Sequence, residues 1–393
     1  MNYIEKMLQD YCPNGVEWKE LGDREVAKLS RGKVMSKQFI EENKGVFPVY
    51  SSQTANSGEI GKISTFDFDG EYITWTTDGA NAGTVFYRQG KFSITNVCGL
   101  VDIQNDKLLT KFVYYYLTIT TKKYVSSGMG NPKLMSNVMA KIKVPIPPLK
   151  IQEEIVKILD KFTEYVTELT AELTAELTDR QKQYSFYRDK LLSFEDEVYQ
   201  VEWKTLGEVA ENLDYLRKPV TKGSRSSGIY PYYGASGIVD YVDDYIFDGD
   251  YLLVSEDGAN LIARKTPIAF SVTGKSWINN HAHVLKFESD IDRKYVSYYL
   301  NHIDLTPYIS GAAQPKLNQQ NLNSIKLAYP KQEVRNKIVQ VLDNFDAVCN
   351  DLSIGLPKEI ELRQKQYEYF REKLLTFTAE GVYPGQWTVD SGQ

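Results

Sequence analysis

A chain of 393 residues, 42% of them hydrophobic, can bury two or three separate cores, and its net charge of −6 denies it the overall basic character usual in nucleic-acid binders. Three cysteines, Cys12, Cys98 and Cys349, are too scattered for a disulfide framework or a CxxC metal pair, which points to a reducing, cytoplasmic setting. The opening MNYIEKMLQDY has no apolar signal core and no apolar run of about eighteen residues occurs, so neither secretion nor a membrane span is expected.

Residues 1–148 are rich in Gly, Tyr, Val, Ile and Thr in short runs between turn signals, the texture of a β-rich domain. Within them YITWTTDGANAGTVFYR (72–88) predicts two strands around a DGAN turn, and LLTKFVYYYLTITTKKY (108–124) predicts a helix. Residues 149–197 follow the breaker PIPPL (145–149). Here Ile151, Ile155, Ile158, Phe162, Val166, Leu169, Leu173 and Leu177 recur every three or four positions, one apolar stripe on a helix. The run TELTAELTAELT (167–178) keeps Leu on one face and Glu on another. Residues 198–330 return to the β texture, with YLLVSEDGANLIARKTPIAF (251–270) restating the strand–turn–strand idea. In residues 331–377 the stripe is Val334, Ile338, Val341, Phe345, Val348 and Leu352, and Gly355 and Pro357 are expected to break that helix where the first is free to run on. Residues 378–393 form a tail.

The chain is written twice. RQKQYSFYRDKLLSF (180–194) returns as RQKQYEYFREKLLTF (363–377), identical at ten of fifteen positions with an offset of 183. IVKILDKF (155–162) returns as IVQVLDNF (338–345), GNPKL (130–134) as AQPKL (313–317), and VEWKELGD (16–23) as VEWKTLGE (201–208). FDGEY and DGAN (68–72, 78–81) match FDGDY and DGAN (247–251, 257–260), and Trp387 falls where Trp203 followed the first copy. A period this long means duplicated domains, not a solenoid. The expected fold is therefore α+β: two β-rich domains with a few helices, joined by two long antiparallel, coiled-coil-like helical segments in a pseudo-twofold repeat. The acidity is uneven, with 7 Lys+Arg against 12 Asp+Glu in residues 149–197, so the global charge sign decides little.

No catalytic constellation stands out. Gly274-Lys275-Ser276 imitates the end of a nucleotide-binding loop, but Ala269 occupies the first-glycine position and strand-like sequence follows. His281 and His283 could face one way on a strand, yet only His302 remains as a further histidine and no acidic cluster is evident nearby, so packing or hydrogen bonding is the expectation and no metal is assigned. Adenine-methyltransferase motifs are missing, since Asn131-Pro132 is followed by Lys133. No cofactor is expected.

Taken in order and present twice, IQEEIVKILDKF, the TAEL repeats, RQKQYxxYRDKLLSF and the following VEWKTLGE resemble the specificity subunits of Type I restriction–modification systems along residues 1–377. The resemblance implies two target-recognition domains, each reading one half of an asymmetric bipartite double-stranded DNA site. It also implies helical regions that space them and dock two methyltransferase subunits, with motor–nuclease subunits joining. The duplicated surface fits two copies of one partner. Its candidate partner-binding residues are Arg180, Gln181, Lys182, Tyr184 and Arg188, repeated as Arg363, Gln364, Lys365, Tyr367 and Arg371. Candidate DNA contacts are Arg31, Lys33, Lys37, Lys122, Lys123 and Lys133 in the first half, and Arg217, Lys218, Lys222, Arg225 and Lys316 in the second. The loops SSQTANS (51–57) and GASG (234–237) are candidates for reading bases. A single helix over 151–194 would span about 65 Å and act as a ruler between half-sites. The alternatives are a bivalent scaffold for proteins or carbohydrates and, further off, a self-contained methyltransferase.

Overall fold

The structure is a computed structural model that describes residues 3–126, 130–194, 201–311 and 314–376. The tail 378–393 with Trp387, Phe377, Ala313 and residues 195–197 at the end of the first helical segment lie outside the described residues. The chain divides into two compact units, one made of Met1–Ala171 and the chain from Glu361 onward, the other of Glu172–Ile360.

In the first unit a six-stranded sheet runs in the order Ala27–Arg31, Cys98–Ile103, Phe68–Thr76, Val85–Ile94, Lys44–Tyr50, Glu59–Ile63. All its pairings are antiparallel except that of Lys44–Tyr50 with Val85–Ile94, where Val49 lies opposite Ser93. At the C-terminal end of Phe68–Thr76 the residues Ile73, Thr74, Trp75 and Thr76 are all buried, so both faces of the sheet are covered there. The helix Thr110–Thr120 covers one face through Phe112, Val113 and Leu117, in one core with Trp75, Ile142, Ile151, Ile155 and Leu159. A separate two-stranded pairing of Glu17–Glu20 with Lys143–Ile146 brings the VEWKE segment against the chain just before the long helix.

The second unit follows the same plan with one interruption. Its strands form two four-stranded sheets, Glu211–Asn212, Ala282–Lys286, Tyr251–Ser255, Ala269–Val272 and Gly237–Val242, Ser227–Gly234, Lys275–Ile278, Phe247–Asp248. The parallel pairing of Tyr232 with Trp277 repeats that of Val49 with Ser93. What is one long hairpin in the first unit is split here at Gly249 and Gly274, which still exchange backbone hydrogen bonds. The DGAN stretch also differs: it leads into a helical turn, Asn260–Ala263, before the next strand. The expected direct strand–turn–strand is thus found in the first unit and lengthened in the second.

The long helix is one uninterrupted run, Leu149–Ser193, of 45 residues. All eight predicted stripe positions from Ile151 to Leu177 are buried or half-buried, while Glu168, Glu172 and Glu176 face solvent. Its start is fixed by the buried Gln152, whose amide nitrogen donates to the carbonyls of Pro147 and Lys107 and whose oxygen accepts from Leu109 N. Arg335, 183 positions later, does the same work at the next helix by donating to Pro330 O and Asp292. The second helical segment breaks as expected, into Gln332–Asn350 and Leu356–Leu375. Gly355 is required in the break because a Cβ there would sit 2.6 Å from the carbonyl oxygens of Ala347 and Asp351.

Each unit contains an antiparallel pairing of these helices. In the first, Phe162 stacks on Phe370 with ring centroids 5.8 Å apart, and Thr163 shares a 2.9 Å hydrogen bond with Tyr367. In the second, Tyr187 stacks on Phe345 at 5.6 Å. The repeat maps Phe162 onto Phe345 and Tyr187 onto Phe370, so the two stacks are the same contact made twice.

Candidate nucleic-acid interface

In the first unit the DGAN turn, 78–81, is the point around which cationic and loop residues gather. The NPKL strap crosses it: Gly79 N donates to Pro132 O, the backbone of Lys133 pairs antiparallel with that of Asp78, and Leu134 N donates to Thr77 O. Lys122 Nζ lies 3.3 Å from Ala82 O and from Thr84 Oγ1, on the same turn. Asn81 Nδ2 donates to Thr54 Oγ1 at 3.0 Å, tying the SSQTANS loop to the turn. Thr95 in turn bonds Ser51, and Lys33 sits opposite Thr95. Lys33 Nζ is 2.6 Å from Asp67, yet its side chain stays 75% exposed. Arg31 reaches Ser136 and the carbonyl of Asn96. A chain of contacts thus links Arg31, Lys33, Lys122 and Lys133 with the loop 51–58. Lys37 opens the separate helix Lys37–Glu42, and Lys123 lies exposed on the turn after Thr110–Thr120.

The second unit repeats the strap. Gly258 N donates to Pro315 O, Lys316 bridges to Asp257, and Leu317 N donates to Glu256 O. Its electrostatics are different, because Glu256 stands where the first unit has Thr77. Lys316 Nζ lies 3.1 Å from Glu256, whereas among the described residues Lys133 meets no carboxylate at the equivalent place. Arg217 is nearly buried, 12% exposed, and holds both Glu256, at 2.5 Å, and Asp214, at 3.2 Å. Its guanidinium is therefore built into the fold and not held out toward a phosphate. Arg225 is likewise engaged, donating to Val220 O and Asp240 and lying 4.2 Å over the Tyr232 ring. Lys218 and Lys222 are exposed. In the GASG segment, Ala235 O accepts from the buried Ser255 hydroxyl, which anchors that loop.

His281 and His283 do not converge. His281 precedes the strand and pairs with Asp257, while His283 is fully buried with Nδ1 2.6 Å from Asp214 and Nε2 donating to Leu317 O at 2.7 Å. The expectation that no acidic cluster lies nearby is corrected here: Asp214, Glu256 and His283 offer donor atoms within 4.8 Å of one another. Arg217 and Lys316 already counter those carboxylates, so the arrangement is a closed ion network. Burial raises the carboxyl pKa values, but hydrogen bonds and charge from His283 and Arg217, and from Lys316 at Glu256, outweigh it and hold Asp214 and Glu256 below their ordinary range. Sequence reasoning missed this network because Asp214, Glu256 and His283 are far apart in the chain. The departure of SEDGAN from TTDGAN inside the repeat was the signal that could have found it.

On the helices, the tyrosines of the duplicated RQKQY are turned inward. Tyr184 is half-buried near Phe345 with its phenol pKa pushed up to about 12 by burial and by Asp346, and Tyr367 meets Thr163. Arg188 and Arg371 lie over the rings of Tyr184 and Tyr367 at 5.9 and 5.1 Å. Arg180, Gln181, Lys182, Gln364 and Lys365 are exposed, with Arg180 bonded to Glu176 and Lys182 to Asp179. Arg363 is half-buried and bonds Gln366.

Comparison with known proteins places this geometry. The family described as Type I restriction modification DNA specificity domain matches twice, over residues 13–179 and 200–362. A chain from Mycoplasma pneumoniae named as a type I specificity subunit is 32% identical over 357 residues, 89% of this chain and 95% of that one. A second from the same organism is 34% identical over 330 residues, 81% of this chain and 97% of its own length. A solved structure concerned with complex assembly and conformational transition of the type I R–M system covers 92% of this chain and 98% of its own, with 15% identity and a TM-score of 0.54, a likeness of fold. Matched over both halves and aligned along most of its length, the chain belongs to the type I restriction–modification DNA specificity family, the non-catalytic specificity subunits of these systems.

Proposed function

We propose that this chain gives a type I system its specificity by reading an asymmetric, bipartite double-stranded DNA sequence, one half through residues 1–148 and the other through residues 198–330. The observation that carries this reading is the duplicated strap over the DGAN turn, with Lys133 and Lys316 at equivalent positions beside loops of different length and mostly different sequence, SSQTANSG (51–58) and GASG (234–237). A common frame supports equivalent placement on the duplex, and dissimilar loops support different base readings. Lys33, Lys122, Lys133, Lys218, Lys222 and Lys316 are assigned to backbone phosphates. The helical segments 149–197 and 331–377 dock two methyltransferase subunits through the duplicated RQKQY surface, and motor–nuclease subunits complete the restriction enzyme. Methyl transfer and cleavage belong to those partners. Free cysteines, two of them buried, support a cytoplasmic setting, and among the described residues no helix is long and apolar enough to cross a membrane.

The test is co-expression with the adenine methyltransferase of the same system, followed by single-molecule mapping of methylated adenines in host DNA. Methylation confined to one split motif, and lost when this chain is omitted, is the expected result. Methylation indifferent to this chain, or no association with the methyltransferase, would overturn the proposal and leave the bivalent scaffold.

A further inference from the structure

We propose that Asn56 reads an adenine–thymine pair in the half-site served by the first unit, and that the buried Arg88 is the positioning residue that holds it out; the inference rests on the specificity reading above.

The loop Ser51–Gly58 links the strands Lys44–Tyr50 and Glu59–Ile63. Asn56 and Ser57 both adopt left-handed backbone, with φ of 48° and 51°, and Gly58 follows at +84°. Consecutive non-glycine residues in that region persist only where the surroundings impose them. Here Arg88 imposes them. Its side chain rises from the neighbouring strand Val85–Ile94 and is 6% exposed, and its Nη2 donates to Ser57 O at 2.6 Å. Nε donates to Thr74 Oγ1 at 3.1 Å, and the guanidinium carbon lies 3.5 Å from the Tyr50 ring centroid and 4.6 Å from that of Phe86. Gly58 completes the fit, since a Cβ there would come within 3.1 Å of Gln53 O and 3.3 Å of Arg88 Nη2.

Three other side chains of the loop are used internally. Ser51 bonds Thr95, Gln53 Nε2 donates to Glu59 O at 2.7 Å, and Thr54 accepts from Asn81. Asn56 is exposed at the crest and its amide makes no hydrogen bond among the described residues. A carboxamide sets a donor beside an acceptor, the pattern that pairs with N6 and N7 of adenine in the major groove. The tether from Thr54 to Asn81 fixes this amide relative to the DGAN turn that carries Lys122 and the Lys133 strap. Phosphate contacts from those lysines would set the depth at which the amide enters the groove.

Asparagine is also tolerated in left-handed backbone for its own sake, so the variants must keep that tolerance while changing the reading edge. Asn56→Asp and Asn56→Gly both do. The full chain, in complex with its methyltransferase subunit, is used to select duplexes from a randomised pool. The wild type should select a split consensus. Asn56→Gly should make a single A·T pair in one half degenerate, and Asn56→Asp should move that position toward cytosine, whose N4 donates to a carboxylate. Each should weaken binding to the wild-type site by about tenfold, with the other half-sequence intact. Arg88→Met should blur the same half-sequence and spare the other. A consensus unchanged in both Asn56 variants, or altered in both halves, overturns the role of Asn56. A wild-type complex that selects no split consensus overturns the specificity reading itself.

Discussion

Trp75 and His283 cap equivalent carbonyls from neighbouring strands: the indole Nε1 donates to Leu134 O at 3.0 Å, and the imidazole Nε2 donates to Leu317 O at 2.7 Å. In the first unit Trp75 lies opposite Gly99, and a Cβ at Gly99 would stand 2.3 Å from the indole. In the second unit the same register pairs Val254 with His283. One large polar ring fits each site, and the two units supply it from opposite strands. His283→Ala should leave Leu317 O without a donor and take from Asp214 one of its partners, Arg217 and Val284 N remaining, and cost about 2 kcal/mol. Trp75→Phe loses one hydrogen bond and leaves part of the space beside Gly99 unfilled, about 2 kcal/mol. Hydrogen exchange of the strand Ala282–Lys286 against Cys98–Ile103 separates the two; undiminished protection in His283→Ala would refute the assignment.

Acid should loosen the second unit before the first. Asp214 and Glu256 are held below their ordinary values of 3.8 and 4.5, because their ion partners outweigh the opposing effect of burial. A carboxyl depressed in the folded state contributes stability that is full above its unfolded pKa and is lost as pH falls through the folded one. The first unit has Thr77 and Gly99 at the positions of Glu256 and His283 and lacks this dependence. On lowering pH through and below the carboxylate range, amides of Tyr251–Ser255 should exchange faster before those of Phe68–Thr76. Glu256→Gln should flatten the difference, and parallel loosening of both units would count against it.

The duplication, the stripe from Ile151 to Leu177 and the break at Gly355 were legible in the sequence because each depends on spacing along the chain. Tyr184 and Tyr367 were expected on the partner-facing surface and instead turn inward, because Phe345 and Thr163, the groups they meet, lie on other helical stretches of the chain. Arg217 was different. Next to Lys218 it suggests a solvated basic loop, and only the fold brings Asp214 and Glu256 against it. Arg88 gave no local signal at all, since its partners, Tyr50, Ser57 and Thr74, come from three other stretches of chain.

Asp160 and Asp343 are matching clamps between helices within their own units. Lys111 and Tyr115 reach Asp160 at 2.7 and 2.6 Å, and Lys294 and Tyr298 reach Asp343 at 2.7 Å each. Burial and the carboxylate together push the phenol pKa values of Tyr115 and Tyr298 up. The lysines are 37% exposed, so solvent screens their share and the tyrosines hold most of the clamp. Asp160→Ala and Asp343→Ala should each cost about 2 kcal/mol. A double-mutant cycle of Asp160→Ala with Tyr115→Phe should give a coupling of about 1 kcal/mol in chemical denaturation, and strict additivity would reject the clamp.

Deleting one TAEL unit, residues 170–173, tests the helix as a ruler. The deletion keeps the Leu and Glu faces in phase, shortens the helix by about 6 Å and rotates its C-terminal part by about 40° relative to its start. The mapped methylation motif should keep both half-sequences and show a shorter unread gap. An unchanged gap, or a changed half-sequence, would reject the ruler.

Two exposed aromatics mark the surface on which the methyltransferase copies should dock. Phe186 and Tyr369 occupy equivalent repeat positions, and each is 61% exposed. Their neighbours Tyr187 and Phe370 are committed to the stacks on Phe345 and Phe162, and Phe186 and Tyr369 lean edge-on against those neighbours at 5.4 Å. A large apolar ring left outward beside Lys182 or Lys365 is the composition of an interface anchor, an aromatic centre with a cationic rim. Because the rings are exposed, Phe186→Ala and Tyr369→Ala should leave the thermal stability of the chain within about 0.5 kcal/mol of wild type. Native mass spectrometry of the complex should then show one methyltransferase subunit lost with either substitution and both lost with the pair. Loss of both copies from a single substitution, or of neither from the double, would show that the two sites are not the equivalent docks the repeat implies.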